Sequence, residues 1–300
     1  MNAGSMGKLH GATDFATGLS KGEPVALAAK VPMAEAGAMP MNAPAPHLGP
    51  DRLDRALVAR GLFGSRARAR DAIERGHVRV NGARSAKPGT LVPLDATITV
   101  DDPAARYVSR AALKLQAGLD RFAIDPKGRY ALDVGASTGG FTQVLLERGA
   151  RFVAALDVGH GQLASSLRED PRVRSLEGLN ARHLARADLI EPVELVVADV
   201  SFISLTLALP PALALAEPGS PCVLLVKPQF ELGARALDKR GVVRDPLRAE
   251  AIARDLAAWL DAQPGWRSLG LAPSPIAGGT GNREWLLGGR KDRDDAGAKR

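Results

Sequence analysis

One stretch restricts the possible folds more than any other: Tyr130 to Thr142, Y-A-L-D-V-G-A-S-T-G-G-F-T. It opens with a short apolar run (Tyr130, Ala131, Leu132, Val134) and closes in a glycine-rich turn. An amphipathic segment follows, with Phe141, Val144 and Leu145 on one face and Glu147 and Arg148 outward. Strand, tight glycine turn and helix form the opening unit of a nucleotide-binding α/β sheet. The glycines let a ligand approach the backbone, and the helix start offers free N–H groups. The candidate ligand contacts are therefore Asp133, Gly135, Ala136, Ser137, Thr138, Gly139, Gly140 and Phe141.

The turn is not the G-x-G-x-x-G dinucleotide fingerprint, because Ser137 stands where the second glycine belongs. That glycine lets a pyrophosphate sit against the backbone, so its loss points to a ligand without one and argues against a dehydrogenase. A second apolar run, Phe152 to Leu156, ends at Asp157. An acid roughly 20 residues past the turn suits a ribose diol. A nucleoside lacking a diphosphate suggests S-adenosylmethionine. The plainer alternative is an ordinary strand–helix turn with a surface aspartate.

At 300 residues the chain has room for about two domains. Its formal net charge is +7, unevenly distributed. Residues 1–50 balance three basic against three acidic side chains, whereas 51–100 carry ten against five. This block has the electrostatic footprint of a nucleic-acid partner; an anionic membrane surface is the competitor. The single cysteine, Cys222, excludes an internal disulfide, reads as a small core residue and fits a reducing, cytoplasmic setting. No stretch reads as membrane-spanning: the most apolar region, Leu205 to Val226, is broken by four prolines and holds Glu217. Residues 1–50, rich in Gly, Ala, Pro and Met, read as a disordered extension, with Met41 as an alternative start and activity expected to survive deletion of 1–40.

Within 51–100, Leu53, Leu57 and Val58 define one helical face. Ser65 caps a second helix closed by Gly76. V-R-V at 78–80, the Asn81-Gly82 turn and I-T-V at 98–100 are hairpin and strand signals. The second helix starts with Arg66, Arg68 and Arg70, against the helix dipole. That cost suggests a partner for them, although a solvated basic face is common. R-L-D-x-x-L, S-R-x-x-A-x-x-x-I-x-x-G-x-V-x-V-N-G and K-P-G resemble the RNA-binding domain named after ribosomal small-subunit protein four. The resemblance implies RNA contacts at Arg52, Arg55, Ser65, Arg66, Arg68, Arg70, Arg79 and Lys87.

Residues 101–108 read as a linker, and from Ser109 the pattern is helical, with Lys114 and Arg110 one turn apart. V-R-S-L-E-G (173–178) is a weak strand. V-E-L-V-V-A-D-V (193–200) is a strong one ending in Asp199-Val200-Ser201-Phe202. Amine-methylating enzymes often carry N-P-P or D-P-P before an aromatic here, so D-V-S-F argues against an amine target. C-V-L-L-V (222–226) leads into Lys227-Pro228-Gln229-Phe230-Glu231. A lysine at a strand's C-terminal end sits where open α/β sheets place their sites; a snorkelling edge lysine is the alternative. The basic segment 233–246 could cover the site or touch RNA, 247–262 is an amphipathic helix, and 266–287 resembles a closing hairpin with Glu284 opening its last strand. Residues 291–300 read as a disordered tail.

Lys114, Asp199, Lys227 and Glu284 thus stand out. Lysines and acids around a cofactor site suit deprotonation of a hydroxyl, which is a poor nucleophile until a base takes its proton. Order and spacing resemble the ribose 2′-O-methyltransferases of the FtsJ type, and 51–290 as a whole resembles the TlyA, or hemolysin-A-like, family. The resemblance implies a Rossmann-like class I methyltransferase with a seven-stranded, mostly parallel sheet at 109–290, preceded by the small α+β RNA-binding domain at 51–100. It also implies S-adenosylmethionine as cofactor, no metal, Lys227 as base within the four catalytic positions, and ribosomal RNA or ribosomal subunits as substrate. A non-catalytic assembly factor and a membrane-active cytolysin are the rival readings.

Overall fold

The computed structural model describes residues 49–85 and 87–292; most of the N-terminal extension and the tail beyond Asp292 lie outside that range. The chain divides after Asp101 into two compact units.

In the first unit, β1 (Asp51–Arg52) runs into α1 (Leu53–Ala59), which is followed by α2 (Arg66–Glu74), β2 (Val78–Val80), β3 (Ala83–Arg84), β4 (Leu91–Val92) and β5 (Ile98–Val100). The Ser65 hydroxyl accepts the Arg68 N–H and starts α2. Asn81 and Gly82, at φ 49° and 79°, make the tight turn between β2 and β3. Strand order is β3-β2-β5, and β1 pairs separately with β4. Leu53, Leu57, Ala69, Ile73 and Val78 form the core.

The second unit holds α3 (Ala112–Arg121), β6 (Tyr130–Val134), α4 (Gly140–Glu147), β7 (Phe152–Asp157), α5 (Ser165–Arg168), β8 (Val173–Glu177) and β9 (Leu195–Ala198). It continues through α6 (Leu205–Ala208), α7 (Pro210–Leu215), β10 (Pro221–Val226), α8 (Pro228–Glu231), α9 (Pro246–Asp261), β11 (Trp266–Pro273) and β12 (Trp285–Lys291). Its seven-stranded sheet has the order β11-β12-β10-β9-β6-β7-β8. All pairings are parallel except those of β12, which is antiparallel to both neighbours. Alternate residues of the near-continuous apolar strands feed two cores, one per face. This is the Rossmann-like methyltransferase architecture.

The first strand of this sheet, β6, pairs with β7 on one side and β9 on the other. Chain progression reverses there, and such a switch point opens a crevice beyond the strand ends. Three boundaries differ from the sequence reading. Tyr107, read as linker, is buried in the core of the second unit. Lys291, read as tail, completes β12, and its ammonium donates to the Leu213, Ala214 and Ala216 carbonyls. Glu284 stands one residue ahead of β12 rather than within it. Cys222 is fully buried, and burial raises its thiol pKa, so it is an inert core group.

Candidate active site

The glycine turn owes its shape to residues that tolerate left-handed backbone. Gly135 and Gly139 sit at φ 84° and 98°, and Ser137, unusually for a side chain with a Cβ, at 48°. A Cβ on Gly135 would lie 2.7 Å from the Asp199 carbonyl oxygen, so the turn lies directly against the end of β9. The Ser137 N–H donates to Asp157 Oδ2 at 2.8 Å, and Asp157 Oδ1 accepts the Gly159 N–H at 2.8 Å. Asp157 therefore ties the turn to the end of β7 and stays half-buried at the mouth.

Beyond these strand ends lies a cleft of about 530 Å³, lined among others by Gly135, Ser137, Asp157, Asn180, Asp199 and Phe202. A smaller recess of about 140 Å³ adjoins it, sharing Gly135, Ser137, Asp199 and Ser201. Ala136, Thr138, Gly140, Phe141 and Lys227 also line the recess. Two predicted contacts lie elsewhere. Gly139 faces α5, where a Cβ would strike the Leu167 side chain at 2.3 Å. Asp133 is fully buried behind the turn and accepts the Thr142 hydroxyl at 2.7 Å through Oδ2, while its Oδ1 has no hydrogen-bond partner. Burial pushes its carboxyl up to about 7, and repulsion from Asp199 and Asp157 adds to this against the Thr142 hydrogen bond.

The four lysine and acid positions form two ion pairs. Lys227 Nζ lies 2.5 Å from Asp199 Oδ1 and donates to the Ser201 hydroxyl at 2.8 Å. Lys114 Nζ lies 2.5 Å from Glu284 Oε2. Asp199 follows β9 and Lys227 follows β10, while Glu284 precedes Trp285, which pairs with Val226. The antiparallel run of β12 thus brings its start to the sheet edge where the parallel strands end. Lys114 reaches the same edge from α3, which packs on β10 and β12. Lys114, Lys227 and Glu284 are each no more than 9% exposed. Lysines so buried need partners, and these have them. The arrangement can hold a small polar group in the recess and exchange a proton with it.

Sequence reasoning assigned no site role to two residues that follow Asp199. One is Ser201. The other is Phe202, among the described residues the most exposed large apolar side chain at 91%, held at φ 63° with its ring 5.0 Å from that of Phe230. An aromatic kept in water on strained backbone is a signal that only coordinates carry. Within K-P-Q-F-E, Glu231 is a brace: it accepts the Ser204 hydroxyl at 2.5 Å and the Leu205 N–H at 2.9 Å.

In the first unit the predicted basic residues separate by role. Arg52 Nε and Arg66 Nη2 each lie 3.0 Å from the buried carboxylate of Asp54. Burial alone would raise Asp54, but hydrogen bonds from the two guanidiniums outweigh it and hold the group at about 2. Arg55 lies 3.5 Å from Asp51, Arg79 donates to the Gly82 carbonyl, and Ser65 is committed to its cap. Arg70 and Lys87 are exposed, and Arg68 is partly buried.

The fold and this site define a methyltransferase, and comparison with known proteins agrees. Residues 107–291 match the FtsJ-like methyltransferase model and residues 51–98 the S4 domain model. The chain belongs to the TlyA family of FtsJ-like methyltransferases. It is 49% identical over 248 residues to the 16S/23S rRNA (cytidine-2′-O)-methyltransferase TlyA of Mycobacterium tuberculosis, covering 82% of this chain and 91% of that protein. It is 38% identical to the 23S rRNA (cytidine-2′-O)-methyltransferase TlyA of Campylobacter jejuni, covering 77% and 96%. A solved structure from Streptococcus thermophilus that carries the name hemolysin superposes with a TM-score of 0.64 at 38% identity, covering 82% and 90%. Among the described residues no helix is long and apolar enough to cross a membrane, and no cluster of His, Cys, Asp and Glu could hold a metal ion.

Proposed function

We propose that this protein transfers a methyl group from S-adenosylmethionine to a ribose 2′-hydroxyl of ribosomal RNA, with Lys227 as the base. The observation that carries the reading is a buried lysine in the wall of the recess, between an aspartate at 2.5 Å and a serine hydroxyl at 2.8 Å. The named activities of the M. tuberculosis and C. jejuni relatives support the substrate class.

The residues present fit the cofactor. The cleft has room for a nucleoside, and its Asp157 carboxylate has lone pairs beyond those used by Ser137 and Gly159. When bound, S-adenosylmethionine supplies an already electrophilic methyl group. The protein's part is to position the nucleophile and take its proton. Lys227 accepts the hydroxyl proton. Asp199 stabilises the resulting ammonium and holds it in place, while Ser201 takes a second N–H. Lys114 and Glu284 neutralise each other and keep a second fixed dipole at the sheet edge. The exposed ring of Phe202 offers a face on which a base can stack.

Methyl transfer from labelled cofactor to ribosomal subunits, followed by digestion to nucleosides, tests the reaction. Label should reside on a ribose; label on a base would overturn the assignment. Lys227→Ala should retain cofactor binding and lose turnover by at least about a hundredfold, in the range of a lost general base. Near-normal turnover would remove Lys227 from that role.

A further inference from the structure

The segment from Gly233 to Asp245 carries four cations, Arg235, Lys239, Arg240 and Arg244, and two acids. Both acids are engaged by backbone. Asp238 Oδ1 accepts the Arg240 and Val242 N–H groups at 2.8 Å each, and Asp245 caps α9 by accepting from Leu247 at 2.9 Å and Arg248 at 3.4 Å. All four cations are exposed. Arg240 is 84% exposed, with the carboxylate of Asp238 no nearer than 3.5 Å. The acids shape the loop while the cations face water.

The loop is also stiff. Leu237 and Val243 form an antiparallel bridge, Asp238 N–H donates to Val242 at 2.8 Å, and Arg244 N–H donates to Ala236 at 3.1 Å. Its tip is fastened from outside by Asn282, a polar side chain only 2% exposed. The Asn282 amide donates to the Gly241 carbonyl at 2.8 Å and to the Thr280 hydroxyl at 2.9 Å, and its oxygen accepts the Val243 N–H at 2.9 Å. Asn282 is two residues from Glu284, and both pack on Gly278. The Gly278 N–H donates to the Asn282 carbonyl at 2.9 Å, and a Cβ on Gly278 would sit 2.5 Å from Glu284 Oε1. The cationic loop and a member of the buried ion pairs therefore share one mount.

We propose that Gly233–Arg244 is an RNA-backbone grip on the methyltransferase unit itself, and that Asn282 is the positioning residue that aims it at the site. Three arginines and a lysine on a braced loop suit successive phosphates, since guanidinium forks bind them bidentately. Stiffness lowers the ordering cost of binding. The inference rests on the proposed RNA substrate.

The full-length chain carrying Arg235→Ala, Lys239→Ala, Arg240→Ala and Arg244→Ala is compared with the wild type on a ribosomal RNA fragment across a salt series. Each lost phosphate contact flattens the salt slope by about one, so a loss of roughly two to three in slope and at least about tenfold in affinity is expected near 0.15 M salt. Calorimetric affinity for S-adenosylmethionine and the melting temperature should stay unchanged. Unchanged RNA affinity and slope would overturn the proposal, as would loss of binding to phosphatidylserine vesicles with RNA binding intact. Asn282→Ala, which removes no cation, should raise KM for ribosomal subunits while cofactor affinity holds; an unchanged KM would overturn its aiming role. Should wild-type protein bind RNA yet methylate no ribose, the substrate reading would fall, and the slope comparison would still decide the loop.

Discussion

At Phe202 a large apolar ring is kept 91% exposed on left-handed backbone, one residue from the serine that holds Lys227. Neither burial nor backbone comfort stabilises this arrangement, since each non-glycine residue in that region costs on the order of 1–3 kcal/mol. Stacking of a nucleobase on an aromatic ring contributes about the same amount in the other direction. Phe202→Ala should therefore raise KM for RNA by roughly tenfold or more while the melting temperature stays level or rises. Steady-state kinetics beside a thermal melt would check this, and an unchanged KM would leave the ring without that role. The same neighbourhood shows what the sequence could and could not convey. Lys227 and Asp199 were legible because each follows a strand of recognisable pattern, and strand ends converge in an open sheet. Ser201 and Phe202 were visible only as letters of D-V-S-F, because a left-handed φ and an exposed ring depend on how the next turn leaves the strand. Asp54 was equally opaque: within R-L-D-x-x-L nothing local reveals that it is buried and bound by both Arg52 and Arg66.

At the scale of elements, the glycine turn and the end of β9 behave as one block. A methyl group at Gly135 would meet a main-chain oxygen at 2.7 Å, and it would also sit at φ 84°. Backbone cannot swing aside as a side chain can, so Gly135→Ala must shift either the turn or Asp199. The left-handed conformation alone costs about 1–2 kcal/mol. Calorimetry should show cofactor affinity falling at least about tenfold, with turnover falling further because Asp199 also holds Lys227. Wild-type cofactor affinity in this variant would mean that the block is softer than its spacing implies. The strands β6, β9 and β10 were readable from their apolar runs, whereas their order in the sheet came only with the coordinates. The start of β12 was not readable, because antiparallel insertion depends on tertiary pairing with β10 rather than on anything local to 283–287.

Over the whole molecule the two units carry buried acids of opposite tendency. Asp54 sits at about 2 in the fold against about 4 in an unfolded chain, so it contributes stability above pH 4 that is lost as the pH falls toward 2. Asp133 sits at about 7, so the fold binds its proton more tightly than the unfolded chain does. The second unit therefore loses stability as the pH rises from about 4 to 7. Scanning calorimetry of the intact protein between pH 3 and 8 should show these opposing trends. Asp133→Asn should remove the decline between pH 4 and 7 without altering the acid limb. An unaltered decline in that variant would trace it to another group.

The sheet order β11-β12-β10 places the later strand inside the earlier one. β11 leaves the ribosome before β12 but has no seat beside β10, so it must wait for the intervening strand. When β12 arrives, the sheet gains its last two members together, and Glu284 reaches Lys114 in the same event. The enzyme's ion pairs thus become complete only when synthesis has passed residue 284, and no shorter nascent chain can hold the full set. Pulse-labelled hydrogen exchange during refolding should find the amides of β11 and β12 protected in a single phase; separate phases would show that the outer strand has another place to dock.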